Sequence, residues 1–408
     1  MSEPHRILYI HHGRGIGGAP LSLLYLIRQL DRSRFEPVVL CLYESAAADL
    51  YRNEGIETHI ARGIRTFDHS TLLWYNLRRP WRLPWRLLTF WPSVVNTRRA
   101  IEALRPHLVH LNSAQLAPSA IGAHRAGVPV IWHVREQIAA GYFGLRRRWL
   151  KRTIARYGDR VIAICHNDAE QLIQNDKIRV VYNFVDFVQF DRSLEPGPLR
   201  QELGLGQGEP LVTMLGGLNP SKGTWEFVQA LPLVLEAIPD AHFLVLGHFP
   251  GFRGNRGIKA SLARALYGYQ RQVERFIHQN ELSAHITFTG ARRDVPQVLA
   301  AVDLLVFPST VPHFARPIIE AGAMAKPVVA SDLGGPRELV VDGETGLLVP
   351  PSDPQALADA IIKILNDDDL ARRLGQAGYR RAKRLFDARL NARRTFEVYE
   401  ELLTKAGK

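Results

Sequence analysis

Gly13, Gly15, Gly17 and Gly18 directly follow an apolar, strand-like run and open a helical pattern. Their spacing matches the G-x-G-x-x-G dinucleotide fingerprint, which also needs an acidic residue about twenty positions further on to hold the ribose. Glu44 stands 26 residues past Gly18, a loose fit. A wider reading is a glycine loop whose backbone N–H groups meet an anion at a helix N-terminus. The plainest is a tight strand-to-helix turn. A second stretch with chemical character runs from Trp74 to Arg99. It holds six arginines (Arg78, Arg79, Arg82, Arg86, Arg98, Arg99), no acidic residue, and four of the seven tryptophans, Trp81 and Trp85 among them. Residues 142–152 repeat that composition. Tryptophan beside arginine suits the headgroup zone of an anionic membrane, at about 1 kcal/mol per basic charge. Pro80, Pro84 and Pro92 should break the segment into short pieces lying flat. Loops packed on a sheet, or a polyanionic acceptor site, would use the same residues. No metal site is expected: His107 and His110 on a strand face opposite ways, and Asp367–Asp369 reads as a helix start.

The elements that must carry these residues alternate between apolar strand-like runs and helical patterns, the signature of βαβ units and parallel sheets. In the first half, strands are expected near Arg6–His11, Pro37–Leu42, Leu108–Leu111, Val128–His133 and Arg160–Ile164. The turn-rich break Glu195-Pro196-Gly197-Pro198 separates them from a second series. That series has strands at Leu211–Leu215, His242–Leu246, Ile286–Thr289, Leu304–Phe307 and Pro327–Ala330, with helices between them. Residues 354–403 read as three helices. Length agrees with two domains, at 408 residues. With 46% apolar and 23% charged residues the chain is an ordinary globular one. Two cysteines in apolar runs, Cys41 and Cys165, exclude a disulfide framework and suit a reducing cytosol. Neither a signal peptide nor an apolar run of membrane-spanning length is expected. The net charge of +12 is uneven. Through Glu195 there are 27 basic and 17 acidic residues, against 25 and 23 afterwards. The asymmetry points to a surface in the first half that faces the phosphates of membrane lipid, nucleic acid or an anionic substrate, the plainer alternative being a generic solubility charge.

Two doubly wound domains bind ligands beyond the carboxyl ends of their strands, and the residues there carry a resemblance. Leu215-Gly216-Gly217-Leu218-Asn219-Pro220-Ser221-Lys222-Gly223 follows the first strand of the second half. Phe307-Pro308-Ser309 leads to Pro312-His313-Phe314-Ala315-Arg316-Pro317-Ile318-Ile319-Glu320-Ala321. Lys326–Ser331 and Asp342–Val349 follow. In order and spacing these resemble the donor-binding domain of the retaining glycosyltransferases of family 4, the "glycosyl transferases group 1" type. The Gly17-Gly18 loop, His133, Asp159–Ile164, Asn183 and Asp186 agree, so the resemblance spans nearly the whole chain.

The resemblance implies an α/β GT-B fold: two Rossmann-like doubly wound domains facing a central cleft, with C-terminal helices packing back toward the first domain. Residues 1–195 would bind the acceptor, 196–385 the nucleotide sugar, and 386–408 would form the returning helix. The implied reaction moves a sugar from a nucleoside-diphosphate sugar with retained anomeric configuration, by a front-face route without an essential metal or cofactor. Lys222, on its glycine loop at a helix start, would stabilise the departing diphosphate together with Gly216, Gly217 and the helix dipole. Glu320 resembles the carboxylate that accepts the ribose hydroxyls. His133 matches the first-domain histidine beside the anomeric carbon. Gly17, Gly18, Phe314 and Ala315 complete the donor-binding set. The chain departs from the family pattern at three places: Gly217 replaces an arginine, Pro312 a glutamate that contacts the donor sugar, and Ala315 a glycine. Arg316 would supply the missing cation, and His313 would either touch the sugar or simply sit in its loop. The implied partners are a nucleotide sugar, a lipid-linked or envelope glycan acceptor and an anionic membrane surface, at the inner face of the membrane. Single-stranded nucleic acid would also use arginines and aromatics, but is not expected. A catalytically silent sugar-nucleotide scaffold is the first alternative and an NAD-dependent oxidoreductase the second.

Overall fold

The protein, represented by a computed structural model, is described over residues 3–67, 82–140, 142–206, 208–247 and 260–406. It forms two compact units: residues 1–184 with 388–408, and residues 185–387. The division falls between Phe184 and Val185, ahead of the Glu195–Pro198 break from which the expected boundary was drawn.

The first unit runs β1 (His5–His11), α1 (Gly18–Arg28), β2 (Phe35–Cys41), α2 (Ala46–Asn53), β3 (Glu57–Ile60), α3 (Arg82–Leu104) and β4 (Leu108–Leu111). It continues with α4 (Ala117–Arg125), β5 (Val130–Val134), α5 (Leu145–Tyr157), β6 (Arg160–Ala163), α6 (His166–Glu170) and β7 (Ile178–Val180). The strands form one parallel sheet ordered β3-β2-β1-β4-β5-β6-β7. Because helices cover both faces, the central strands are largely apolar on both sides. Leu8, Ile10, Val109 and Trp132 join the core on one face. Ile7, Tyr9, Leu108 and Ile131 join the core on the other.

The second unit runs α7 (Leu199–Glu202), β8 (Leu211–Leu215), α8 (Thr224–Ala237), β9 (His242–Leu246), α9 (Ala260–Gln279), β10 (Ile286–Gly290), α10 (Val295–Ala301) and β11 (Leu304–Phe307). After it come α11 (Arg316–Ala323), β12 (Val328–Ser331), α12 (Gly334–Leu339), β13 (Leu347–Val349), α13 (Pro354–Leu365) and α14 (Asp368–Leu385). Its parallel sheet is ordered β10-β9-β8-β11-β12-β13. Asp367 caps α14 by accepting from Leu370 N–H at 2.8 Å, so the Asp367–Asp369 run does start a helix.

The last helix, α15 (Ala388–Ala406), belongs to the first unit. Ala392, Val398, Tyr399 and Leu402 enter the core that also takes α1 and β1. A Val or Leu side chain buried this way contributes about 1.5–3 kcal/mol. On the same helix Glu401 pairs with Arg160 of β6, Arg160 Nε donating to Oε2 at 2.9 Å.

One expectation fails in the first unit. Pro84 and Pro92 do not divide the described part of the tryptophan- and arginine-rich segment: α3 is one helix of 23 residues with Pro92 inside it, and Pro80 lies outside the described residues. Pro92 frees the carbonyl of Leu88, a residue 71% exposed, so water can serve it.

Candidate functional site

In both sheets the strand order reverses beside the first strand, which places a crevice at the carboxyl ends of β1 and β4 and another at those of β8 and β11. The candidate residues gather at these two places.

In the second unit, the loops after β8 and β11 are stitched together. Asn219 Oδ1 accepts from Ser221 N–H at 3.0 Å and so shapes the 3₁₀ turn Pro220–Lys222. Ser309 Oγ donates to Ser221 O at 3.0 Å, and Thr310 Oγ1 to Pro220 O at 3.0 Å. Gly223 has φ +79°, and a Cβ there would stand 1.7 Å from Pro308 O, so only glycine lets the loops approach this closely. The N–H groups of Gly216 and Gly217 donate to Leu246 O at 2.9 and 2.7 Å. These two amides hold the glycine loop against β9 instead of projecting into the crevice.

The stitching sets Lys222 against His313. Lys222 donates through Nζ to His313 Nε2, and the amine stands 5.2 Å from the centre of the Phe307 ring. His313 Nδ1 faces the carbonyl of Val311 at 3.0 Å. A carbonyl only accepts, so Nδ1 carries the proton and Nε2 offers its lone pair to the lysine. Burial, with Lys222 adjacent, pushes His313 down to about 3, so it is neutral at ordinary pH. Burial also lowers the Lys222 amine to about 8. The histidine therefore does not present a free nitrogen to a sugar. It holds the lysine.

Arg316 and Glu320 also come together, one turn apart on α11. Arg316 Nε and Nη2 donate to Glu320 Oε1 at 2.9 and 2.6 Å, and both residues are buried. The arginine expected to replace the cation absent at position 217 is thus engaged by the carboxylate expected to hold the ribose. Phe314 and Ala315 are buried beside them. Gly335 at the start of α12 admits the backbone of this loop, since a Cβ there would lie 2.1 Å from His313 O.

In the first unit, His133 lies on β5, 2% exposed, within a polar network that sequence reading missed. His110 Nε2 is 3.1 Å from His133 Nδ1, and His110 Nδ1 is 2.7 Å from the Tyr399 hydroxyl. Arg135 Nη2 is 3.3 Å from His133 Nδ1, and Arg135 Nε donates to Asn112 Oδ1 at 2.5 Å. Asn112 Nδ2 meets His11 Nδ1 at 3.1 Å. Burial first, with the Arg135 charge adding to it, holds His133 and His110 well below the usual imidazole range. The available signal was position: His11, Asn112 and Arg135 each stand at or just past a strand's carboxyl end. His107, by contrast, accepts from Arg6 N–H at 2.9 Å through Nδ1 and takes no part.

The loop holding Gly17 and Gly18 opens α1 with Gly17 as its N-cap. Glu44, the acidic partner a dinucleotide would need, is paired with Arg52. Arg78, Arg79 and Trp81, with the side chain of Arg82, lie outside the described residues. Trp85 is 57% exposed on α3, and Arg86 is partly buried. The fold joins the two basic aromatic stretches: Trp149 of α5 packs on Phe90 of α3 at 5.7 Å between ring centres. Leu88, Trp91, Phe143 and Leu145 are exposed nearby in sequence on the same two segments. Among the described residues, no helix is long and apolar enough to cross a membrane, and no group of three His, Cys, Asp or Glu side chains could hold a metal ion.

Comparison with known proteins supplies the remaining observations. Residues 198–381 match the family model "Glycosyl transferases group 1", and residues 16–189 match "Glycosyltransferase Family 4". An Escherichia coli protein, UDP-Gal:alpha-D-GlcNAc-diphosphoundecaprenol alpha-1,3-galactosyltransferase, is 26% identical over 67% of this chain and 70% of its own. The alpha-maltose-1-phosphate synthase of Mycolicibacterium smegmatis is 28% identical over 76% of this chain and 79% of its own. The crystal structure of Anabaena HepE in complex with UDP and glucose shares the fold, with a TM-score of 0.79 and 23% identity over 97% of this chain and 99% of that one.

Proposed function

The chain belongs to the group 1, family 4 glycosyltransferases, and from that premise we propose that it moves a sugar from a nucleoside-diphosphate sugar to a lipid-linked or envelope glycan, retaining the anomeric configuration. The observation that carries this reading is Lys222, held by His313 at the switch point of the second sheet. When the bond from the anomeric carbon to the β-phosphate oxygen breaks, negative charge grows on the diphosphate. A cation already enclosed and aimed meets it without reorganising. Glu320 is assigned to the ribose hydroxyls, with Arg316 fixing the carboxylate's direction. In the front-face route the acceptor oxygen attacks from the side the diphosphate leaves, and the departing phosphate takes the acceptor proton. No protein base is required, and no metal, since Lys222 supplies the neutralising charge. His133 is assigned to hydrogen-bond the donor sugar.

Two relatives act, by name, on a diphosphoundecaprenol-linked sugar and in lipopolysaccharide core biosynthesis. They support an envelope acceptor here. The exposed aromatics of α3 and α5, with their arginines, support docking on an anionic membrane from the inner face. A donor panel run with and without chelator, reading free nucleoside diphosphate, tests the proposal. Release from one donor, insensitive to chelator, is expected; loss restored by a divalent ion would reject the metal-free route. The substitutions at Gly217 and Pro312 favour one second reading, a silent scaffold that binds donor without consuming it, and the same panel would reveal that as binding without release.

A further inference from the structure

The hydrogen bonds around His133 form a directed chain that begins on the last helix. His133 Nδ1 has two neighbours, His110 Nε2 at 3.1 Å and Arg135 Nη2 at 3.3 Å. A guanidinium can only donate. A proton on Nδ1 would therefore face an N–H and a positive charge, so Nδ1 carries the lone pair. His110 Nε2 must then be the donor to it. Because His110 is buried and neutral, its Nδ1 accepts, and the group 2.7 Å away, the Tyr399 hydroxyl, donates. Tyr9 lies behind Tyr399, hydroxyl to hydroxyl at 3.3 Å. With Arg135 against His133 Nδ1, the order runs Tyr399 O–H to His110 and His110 N–H to His133, and Tyr399, its one proton spent, accepts from Tyr9 O–H. His133, also neutral, is left with its proton on Nε2, and that nitrogen is buried without a partner in the protein.

We propose that Tyr399 is a positioning residue: acting through His110 and together with the Arg135 guanidinium, it holds His133 as the Nε2–H tautomer, so that His133 meets the substrate as a hydrogen-bond donor and not as a base. The inference rests on the assignment of His133 to the donor sugar and adds which proton it offers and which helix sets it. All four side chains, Tyr9, His110, His133 and Tyr399, are at most 2% exposed, so bulk water does not compete for these bonds. The arrangement parallels a general rule for imidazoles, in which the partner of one ring nitrogen decides the state of the other.

Tyr399→Phe keeps the ring and removes the donor. His110 is then free to protonate Nδ1 and accept at Nε2, which leaves Arg135 alone to keep the proton off His133 Nδ1 and lets the Nδ1–H tautomer gain population. Long-range ¹H–¹⁵N correlation of histidine-labelled full-length protein reads this directly. In wild type, His133 should show a protonated Nε2 and an unprotonated Nδ1. In Tyr399→Phe that pattern should shift toward the other tautomer, and in Tyr9→Phe, which leaves the Tyr399 hydroxyl in place, it should not. Turnover of Tyr399→Phe should fall about 10–100-fold, mainly in kcat. A wild-type His133 protonated on Nδ1, a spectrum unchanged in Tyr399→Phe, or a kcat unchanged despite the shift would each overturn the proposal. A wild type that transfers no sugar from any donor would reject the reaction assigned above, while the spectra would still decide the tautomer.

Discussion

Lys222 and His313, 91 residues apart, meet where the loops after β8 and β11 cross, the lysine donating to a histidine whose other nitrogen is tied to its own loop. The pairing gives the lysine a fixed direction. Replacing Lys222 with Ala should lower turnover by about 10²–10³, or about 2.7–4 kcal/mol of transition-state stabilisation, and weaken donor binding. Steady-state kinetics beside a melting curve checks this; unchanged kinetics in a folded variant would remove Lys222 from the site.

The lysine also sets a pH dependence. Its amine is lowered from 10.5 to about 8 by burial. Between those values the unfolded chain binds more protons than the folded one, so this group's contribution to stability rises with pH. Donor binding moves the other way, because the ammonium is lost as pH climbs through about 8. Donor dissociation constants measured across this range should increase, and the increase should flatten in Lys222→Met.

Acid should destabilise the fold early. His11 and His313 are pushed from 6.5 to about 3, and His110 and His133 also lie well below their usual range. As pH falls through about 6.5 the unfolded chain takes up protons that these buried rings refuse, so stability drops before the carboxylates titrate. Melting temperatures at about pH 7 and about pH 5 should differ by several degrees, and equal values would contradict the buried neutral state.

The anchor of α15 is testable apart from catalysis. Hydrogen bonding to Arg160 lowers Glu401 from 4.5 to about 2. The pair's stability is present above about 4.5 and is lost as pH falls toward 2. Glu401→Gln should cost about 1.5–3 kcal/mol at neutral pH and speed amide exchange in α15. Exchange equal to wild type would show that the core contacts alone hold the helix.

Much of this fold was legible because parallel strands buried on both faces read as unbroken apolar runs. Leu108–Leu111 and Leu304–Phe307 were placed to the residue on that basis. The short edge strands β3 and β7 were missed, since Glu57–Ile60 and Ile178–Val180 carry charged or polar residues where only one neighbour covers them. The helix through Pro92 was missed because local chemistry argues against it and only packing decides it: Val94 and Thr97 on its inner face are fully buried. At the site, the order and spacing of the motifs that carry the family resemblance pointed to Lys222, Glu320 and His133. Which residue engages which did not follow from spacing. Arg316 turning to Glu320 and His313 turning to Lys222 depend on side-chain direction, and the Tyr399–His110 bond joins residues 289 apart.

The aromatic face of the first unit should bind membranes. Trp85 at 57% exposure, Leu88 at 71% and Phe143 on the neighbouring segment are apolar, and the arginines close to them in sequence would meet phosphates. Three or four such charges supply roughly 3–4 kcal/mol, enough for reversible recruitment that weakens with salt. Arg78, Arg79, Arg82 and Arg86 changed together to Ser, or Trp85 with Phe143 changed to Ser, should abolish co-sedimentation with anionic vesicles and leave turnover on a soluble acceptor intact. Equal sedimentation would place docking elsewhere.

The most direct test of the whole account is the anomeric configuration of the first product formed from an α-linked nucleoside-diphosphate sugar, read by NMR in the presence of chelator. The account predicts an α-linked product released together with one equivalent of nucleoside diphosphate. A β-linked product, or donor bound without release, would contradict it.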